Sequence, residues 1–204
     1  MKRQTAALQS MKKTYKINEI FYSIQGEGAN AGRPAVFVRF SGCNRRCPFC
    51  DTVHEFGVEM TADQIRLAVE KASGGLKTMV VLTGGEPTLQ LSDEENLFPD
   101  AGDRRFIAIE TNGTGAVPSW IDWVTVSPKE DIPLDKLPRF NEVKLLFDKT
   151  RLDYFQLFNR DGITAFIQPI ERSGKYNFDE TIAFVKQNPR FRLSVQIHKL
   201  IGMQ

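Results

Sequence analysis

The chain is poor in cysteine: it has three, and all lie between positions 43 and 50, in the stretch GCNRRCPFCDT. An odd count cannot be closed by internal disulfides, which excludes a small secreted scaffold stapled by cystines. Net charge is nearly absent as well. With 27 basic and 25 acidic residues the formal balance is +2, too small for a global field selecting nucleic acid or an anionic membrane. No run of 18 apolar residues occurs, so no membrane-spanning helix is expected. The opening MKRQTAALQS is basic but lacks the apolar block of a secretory signal. Met11 is a second candidate start, and residues 1–14 read as a flexible leader before a single domain over 15–204. Free, clustered thiols suit a reducing cytoplasm. Hydrophobic residues at 41% and charged residues at 25% complete an ordinary globular composition, sufficient for one buried core.

Seven short runs rich in β-branched and aromatic residues read as strands: AVFVRFSG, TMVVLTGG, FIAIETNG, WVTVSP, NEVKLLF, ITAFIQP and FRLSVQI. Most are nearly continuous in apolar character, as expected for a parallel sheet covered on its outer face. Two helices are signalled between them. Thr61 with Gln64 forms a capping-box pattern ahead of Ile65, Leu67, Ala68 and Val69. Asn177 with Glu180 repeats it ahead of Ile182, Phe184 and Val185, and Asn188-Pro189 ends that helix. A weaker helix is expected over 150–158. Six or seven strands with about three helices are too few helices for a closed eight-fold barrel, so the expected fold is α/β, a partial, open TIM-like barrel of mostly parallel strands. Its chemistry should gather where the strands end, at SGC, TGGEP, ETNG, SPK, QPIE and QIHK.

Two readings of the cysteines remain open on spacing. Cys43, Cys47 and Cys50 with His54 form a set that a structural zinc accepts. Three thiolates alone suit an iron–sulfur cluster with one iron left for a substrate. The apolar neighbour Phe49 and the glycine-rich TGGEP favour the cluster, although Gly-Gly and Pro also punctuate ordinary turns.

Cys43-x3-Cys47-x-Phe49-Cys50, followed by Gly84-Gly85-Glu86-Pro87, resembles the radical S-adenosylmethionine (SAM) superfamily. That resemblance implies a [4Fe–4S] cluster whose open iron is chelated by SAM. FYSIQGEGANAGRPAVFVRFSGCNRRCPFCDT, TGGEPTLQL, IETNG, VSPK, IQPIE and LSVQIHKLIG together resemble one of its families, the 7-carboxy-7-deazaguanine synthases, from about Tyr15 to the C-terminus.

The resemblance implies roles residue by residue. Cys43, Cys47 and Cys50 would ligate the cluster, and Thr52 a Mg²⁺ ion beside the substrate carboxylate. Phe49, Cys50, Asp51, Gly85 and Glu110 would line the SAM site with Ser127, Pro128, Lys129, Gln168, Pro169, Ile170 and Glu171. Ile24, Gln25, Gly26, Glu27, Arg39, Thr83, His198 and Gln204 would hold the pterin substrate. The residue types suit it: Arg39 is a planar partner for a carboxylate, and Gln25 with Glu27 can bond a pyrimidine-like edge. A lone threonine hydroxyl is a poor Mg²⁺ site until substrate oxygens and water complete the octahedron. The implied reaction is contraction of 6-carboxy-5,6,7,8-tetrahydropterin to 7-carboxy-7-deazaguanine with loss of ammonia, in queuosine biosynthesis. It implies an electron donor such as flavodoxin or ferredoxin, and a homodimer. Two rivals are a glycyl-radical activating enzyme of the same superfamily, which needs a protein-docking surface, and a CCCH zinc module binding RNA. The latter is hinted at only by Arg45 and Arg46 and leaves TGGEP unexplained.

Overall fold

A computed structural model describes residues 12–50, 52–99, 105–172 and 174–203. Seven parallel strands carry the fold: β2 (Pro34–Phe40), β4 (Met79–Gly84), β5 (Ile107–Thr111), β6 (Trp123–Val126), β7 (Glu142–Leu146), β8 (Ala165–Gln168) and β11 (Arg192–Leu193). They lie side by side in chain order, as in a barrel wall. Antiparallel β1 (Thr14–Ile24) and β3 (Val58–Thr61) extend the β2 edge, giving the order β11-β8-β7-β6-β5-β4-β2-β1-β3. Among the described residues β11 and β3 do not pair, so the barrel stays open, as the strand and helix count predicts. Thr14, at the end of the expected leader, is already paired with Thr61; residues 1–11 lie outside the described residues.

Helix α1 (Ala62–Ala72) begins with the expected capping box, formed in both directions between Thr61 and Gln64. Its apolar stripe buries Ile65 and Val69, whereas Leu67 faces solvent. These residues join Tyr15, Ile17, Val38, Phe40 and Leu82 in the larger outer core. A second core packs β7 and β8 against α2 (Leu152–Gln156) and α3 (Phe178–Gln187), around Leu145, Phe155, Phe158 and Ile167. Two expectations fail at α3 and beyond it. Asn177 makes no cap hydrogen bond; its side chain accepts from the Ile170 N–H at 2.7 Å and donates to the Phe147 carbonyl at 3.1 Å. Tertiary partners outcompete the local cap. The run FRLSVQI forms only the two-residue β11, and His198 sits on the short helix α4 (Ile197–Leu200), not at a strand end. A small hairpin, β9 (Glu171–Arg172) and β10 (Lys175–Tyr176), follows β8.

Side chains on a strand alternate between faces, and the inner columns change character from base to rim. At the base, Ala35, Met79, Val81 and Ala108 pack with Phe37, Phe106 and Trp123. Two residues further along come Arg39 paired with Thr83, and Glu110 paired with Thr125. The apolar plug closes the bottom; the polar layer above it faces the C-terminal ends of the strands.

Candidate active site

That polar layer lines a cavity of about 460 Å³. Cys43, Cys47, Phe49, Cys50 and Thr52 form one side of it. Thr83, Gly85, Glu110, Ser127 and Lys129 follow along β4 to β6, and Gln168, Pro169, Ile170 and Glu171 come from β8 and the turn after it. Ile24, Gln25, Glu27, Arg39 and His198 complete the opposite wall. Nearly every expected site residue within the described chain is therefore gathered at one place. Gly26 and Pro128 do not reach the lining. Gly26 lies behind it, its carbonyl accepting from the Ile197 N–H, with His198 Nδ1 filling the space a side chain would need. The Pro128 carbonyl faces Arg151 instead. Asp51 and Gln204 lie outside the described residues.

The cysteine loop leaves β2 through Gly42, whose φ of +84° favours glycine. It is held at both flanks. Asn44 bonds Asn112 and Thr114, and Arg45 forms a bidentate pair with Glu130. The three thiols are free, and Cys50 is exposed. Burial pushes the Cys47 thiol up against the pull of Lys129, with Cys50 and Cys43 adding to the rise. Among the described residues no three His, Cys, Asp or Glu side chains converge on a single ion, so a closed CCCH cage is not formed. His54 lines the same cavity with its Nδ1 buried and unbonded.

The TGGEP loop is pressed against the start of the cysteine loop. A Cβ on Gly85 would stand 1.8 Å from the Gly42 carbonyl oxygen, and one on Gly84 2.4 Å from that of Phe40. The glycines are thus set by contact between the two loops. Glu86 locks the junction: fully buried, it accepts from Thr88 N and Oγ1, Thr111 Oγ1 at 2.7 Å and Asn112 N at 2.7 Å.

On the opposite wall Arg39 stacks over Phe21, 5.2 Å from its ring centroid. Its Nη1 lies 3.5 Å from Thr52 Oγ1, the limit of a hydrogen bond. Its Nε lies 3.2 Å from a Glu19 oxygen but is not aligned to bond it. The guanidinium is held in place with donor capacity to spare.

The site's centre was not expected. Lys144, in mid-strand on β7 and buried, donates to Glu27 Oε2 and, at 2.7 Å, to Glu110 Oε2. Gln25 donates to Glu110 Oε1 at 2.9 Å and accepts from the Glu27 N–H at 3.1 Å; Gln196 donates to Glu27 Oε1 at 2.9 Å. Burial alone pushes the Glu27 carboxyl up, but Lys144 beside it reverses this and holds it below its ordinary range. Burial likewise lowers the Lys144 ammonium, and the carboxylates of Glu110 and Glu27 more than restore it. Lys129, which donates to Ser127 Oγ at 2.8 Å, is lowered by burial and then by nearby Lys144. One turn of the pleat below, Glu142 accepts from Thr125 Oγ1 at 2.8 Å and Ala29 N at 2.9 Å, anchoring the loop that carries Gln25 and Glu27. The signal for both residues was present in NEVKLLF, where Glu142 and Lys144 alternate with apolar neighbours, a pattern that puts charge on one face of a buried strand.

An open barrel with three thiols beside a glycine-rich strand end defines the class, and comparison with known proteins agrees. Residues 37–124 match the profile of the Radical SAM superfamily. The chain is 44% identical to the 7-carboxy-7-deazaguanine synthase of Bacteroides thetaiotaomicron, over 93% of its own length and 98% of that relative. It is 37% identical to the enzyme of the same name from Haemophilus influenzae, over 93% and 94%. The crystal structure of QueE from Escherichia coli superposes with a TM-score of 0.67 at 28% identity, covering 90% of this chain and 94% of that one. The chain belongs to the family of 7-carboxy-7-deazaguanine synthases, and it is an enzyme of the lyase type. Membership implies a [4Fe–4S] cluster and SAM. The residues fit both: three unpaired thiols on one loop face a cavity lined by the carboxylate of Glu110 and the ammonium of Lys129. The activase and RNA-module readings fall with this membership. Among the described residues no helix is long and apolar enough to cross a membrane.

Proposed function

We propose that the chain converts 6-carboxy-5,6,7,8-tetrahydropterin to 7-carboxy-7-deazaguanine with loss of ammonia, as a step toward queuosine. The observation that carries this is the shared cavity: the three thiols and the polar edge of Gln25, Glu27 and Arg39 open onto the same space. Substrate and product differ by one ammonia, so atoms and electrons balance without a net oxidant.

In this reading Cys43, Cys47 and Cys50 hold the cluster, and Phe49, Cys50, Asp51, Gly85, Glu110, Ser127, Pro128, Lys129 and Gln168 to Glu171 surround SAM. The cofactor pair, once reduced by a donor such as flavodoxin or ferredoxin, supplies a carbon-centred radical able to take a hydrogen from the pterin. The protein's own part is to bind and align. Glu27 and Gln25 accept from and donate to the pyrimidine-like edge of the pterin, His198, Thr83 and Ile24 bound the ring with Gly26 behind it, and Gln204 is a further residue expected to hold the pterin. Arg39, stacked on Phe21, takes the carboxylate. Thr52, adjacent to Arg39 Nη1, offers a single oxygen to Mg²⁺, which binds properly only when the substrate carboxylate and water complete its shell. Buried Gln25, Glu27 and Lys144 line the wall against which the pterin edge would lie. A cytoplasmic homodimer belongs to the same reading.

The test is anaerobic reconstitution with iron and sulfide, followed by product analysis with the carboxypterin, SAM, Mg²⁺ and a reductant. Formation of 7-carboxy-7-deazaguanine is expected. Production of 5′-deoxyadenosine without the deazapurine would retain the superfamily and overturn this substrate assignment.

A further inference from the structure

The residues assigned to substrate and to SAM do not stand on separate supports. The Lys144 ammonium bonds Glu27 on one wall and Glu110 on the other, and Gln25 closes the circuit by bonding both Glu110 and the Glu27 backbone. Glu27, Lys144 and Gln25 are each nine-tenths or more buried. Two carboxylates share one cation here, so neither can move far without leaving buried charge uncompensated. Both carboxylates keep lone pairs for a ligand, because each oxygen can accept more than one hydrogen bond.

The geometry points to Lys144 as a positioning residue that couples the two ligand sites: it fixes Glu27 toward the pterin and Glu110 toward SAM, so that filling one site strengthens binding at the other. This rests on the proposed function. A ligand donating to Glu110 further tightens the already paired ring Glu110–Lys144–Glu27–Gln25, and the second ligand then loses less freedom in fixing its acceptor. Lys144 also keeps Glu27 anionic. The groups facing Glu27 are Lys144 from β7, Gln196 and His198 from the C-terminal segment, Glu110 from β5 and Lys129 from the end of β6. With Lys144 removed, the burial that pushes the Glu27 carboxyl up would no longer be offset by that ammonium, and a carboxyl that keeps its proton can no longer accept at that oxygen from the ring N–H groups.

The test is anaerobic calorimetry on reconstituted wild type and Lys144→Met, titrating carboxypterin with and without SAM. Wild type should bind the pterin at least about fivefold more tightly when SAM is present, the lower end of ordinary coupling. In Lys144→Met that ratio should fall to within about twofold of unity. Pterin affinity should also become pH-dependent there, weakening as pH is lowered and recovering as it is raised and Glu27 loses its proton, while wild type stays flat over the same range. A lysine that merely stabilised the fold would alter neither the ratio nor the pH profile. Should Lys144→Met fail to fold, Lys144→Gln, which keeps a donor for one carboxylate but no charge, should likewise lose the coupling and gain the pH dependence. Retained coupling with a flat profile in either variant overturns the inference alone. Absence of pterin binding to wild type overturns the functional reading, and the inference with it.

Discussion

The cavity has two ends built on opposite principles. At the thiol end the side chains are half-buried or exposed, and the loop is tied down by surface contacts, Asn44 to Asn112 and Thr114, and Arg45 to Glu130. At the other end Lys144, Glu27 and Gln25 are buried, and their polar atoms already have partners. On the proposed function, the difference follows from what each end would recognise. A cluster brings its own charge and strong bonds to sulfur, so the protein needs only to present three thiols. A pterin edge offers neutral N–H groups, and recognition then depends on carboxylates held ionised and aligned beforehand, which only a buried and fully paired network achieves. One end is completed by its ligand; the other is finished without it.

The sharpest break in that comparison comes from the thiols. Cys50→Ser should abolish iron loading while the apo-protein keeps its circular dichroism and thermal midpoint, because the side chain is exposed and, among the described residues, its hydrogen bonding amounts to a 3.5 Å contact to the Thr52 carbonyl. A comparable loss of fold would mean that the loop is structural. Next in size is Arg39→Ala. It removes a charge-assisted contact, so pterin affinity should fall by about tenfold or more, with SAM affinity unchanged in the same titrations. Equal loss of both ligands would show that Arg39 supports the whole wall.

The barrel and its rim were legible because parallel strands buried on both faces leave apolar runs, and the residues that end them converge in space. The longest strand, β1, was not. Its TYKINEIFYSI is flanked by β3 only over Thr14–Ile17, leaving the rest at the sheet border with one face partly wet, and a register shift between Ile17 and Glu19 breaks the alternation. Asn177 and His198 misled for a shared reason: local pattern cannot show that Phe147, Ile170 or the Gly26 backbone will be near. Ser194 explains the shortened β11. Its hydroxyl donates to Gln168 and accepts from the Gly28 N–H, drawing the chain inward so that Gln196 reaches Glu27. Lys144 reaches the ionic ring from mid-strand, away from the strand ends where the polar motifs cluster, so no rim motif marks it. Of the residues named from family resemblance, most of those described line the cavity, whereas Gly26 and Pro128 do not reach it, and their backbones serve as supports behind it.

Two further variants sharpen the contrast on stability alone. Glu142→Ala leaves the buried Thr125 hydroxyl and the part-buried Ala29 N–H without their acceptor, and should cost about 1–2 kcal/mol in denaturant unfolding. Glu142→Gln, whose carbonyl can still take that N–H while its amide bonds the Thr125 hydroxyl, should recover most of the loss. Failure of this rescue would mean that the charge of Glu142, not its hydrogen bonds, is what the loop requires.

The smallest effect belongs to Arg45→Ala. Its pair with Glu130 is bidentate, but the two side chains are 31% and 50% exposed, and water competes for both. Removing it should lower stability by about 0.5 kcal/mol at low salt, and by less as salt screens the pair. Iron loading should be unchanged, since Asn44 still ties the loop to Asn112 and Thr114 and the Gly42 N–H still bonds the His54 carbonyl. A large stability loss, or iron lost from an intact fold, would place the Arg45–Glu130 pair among the preorganised contacts. The thiol end would then be built in advance as the lysine end is.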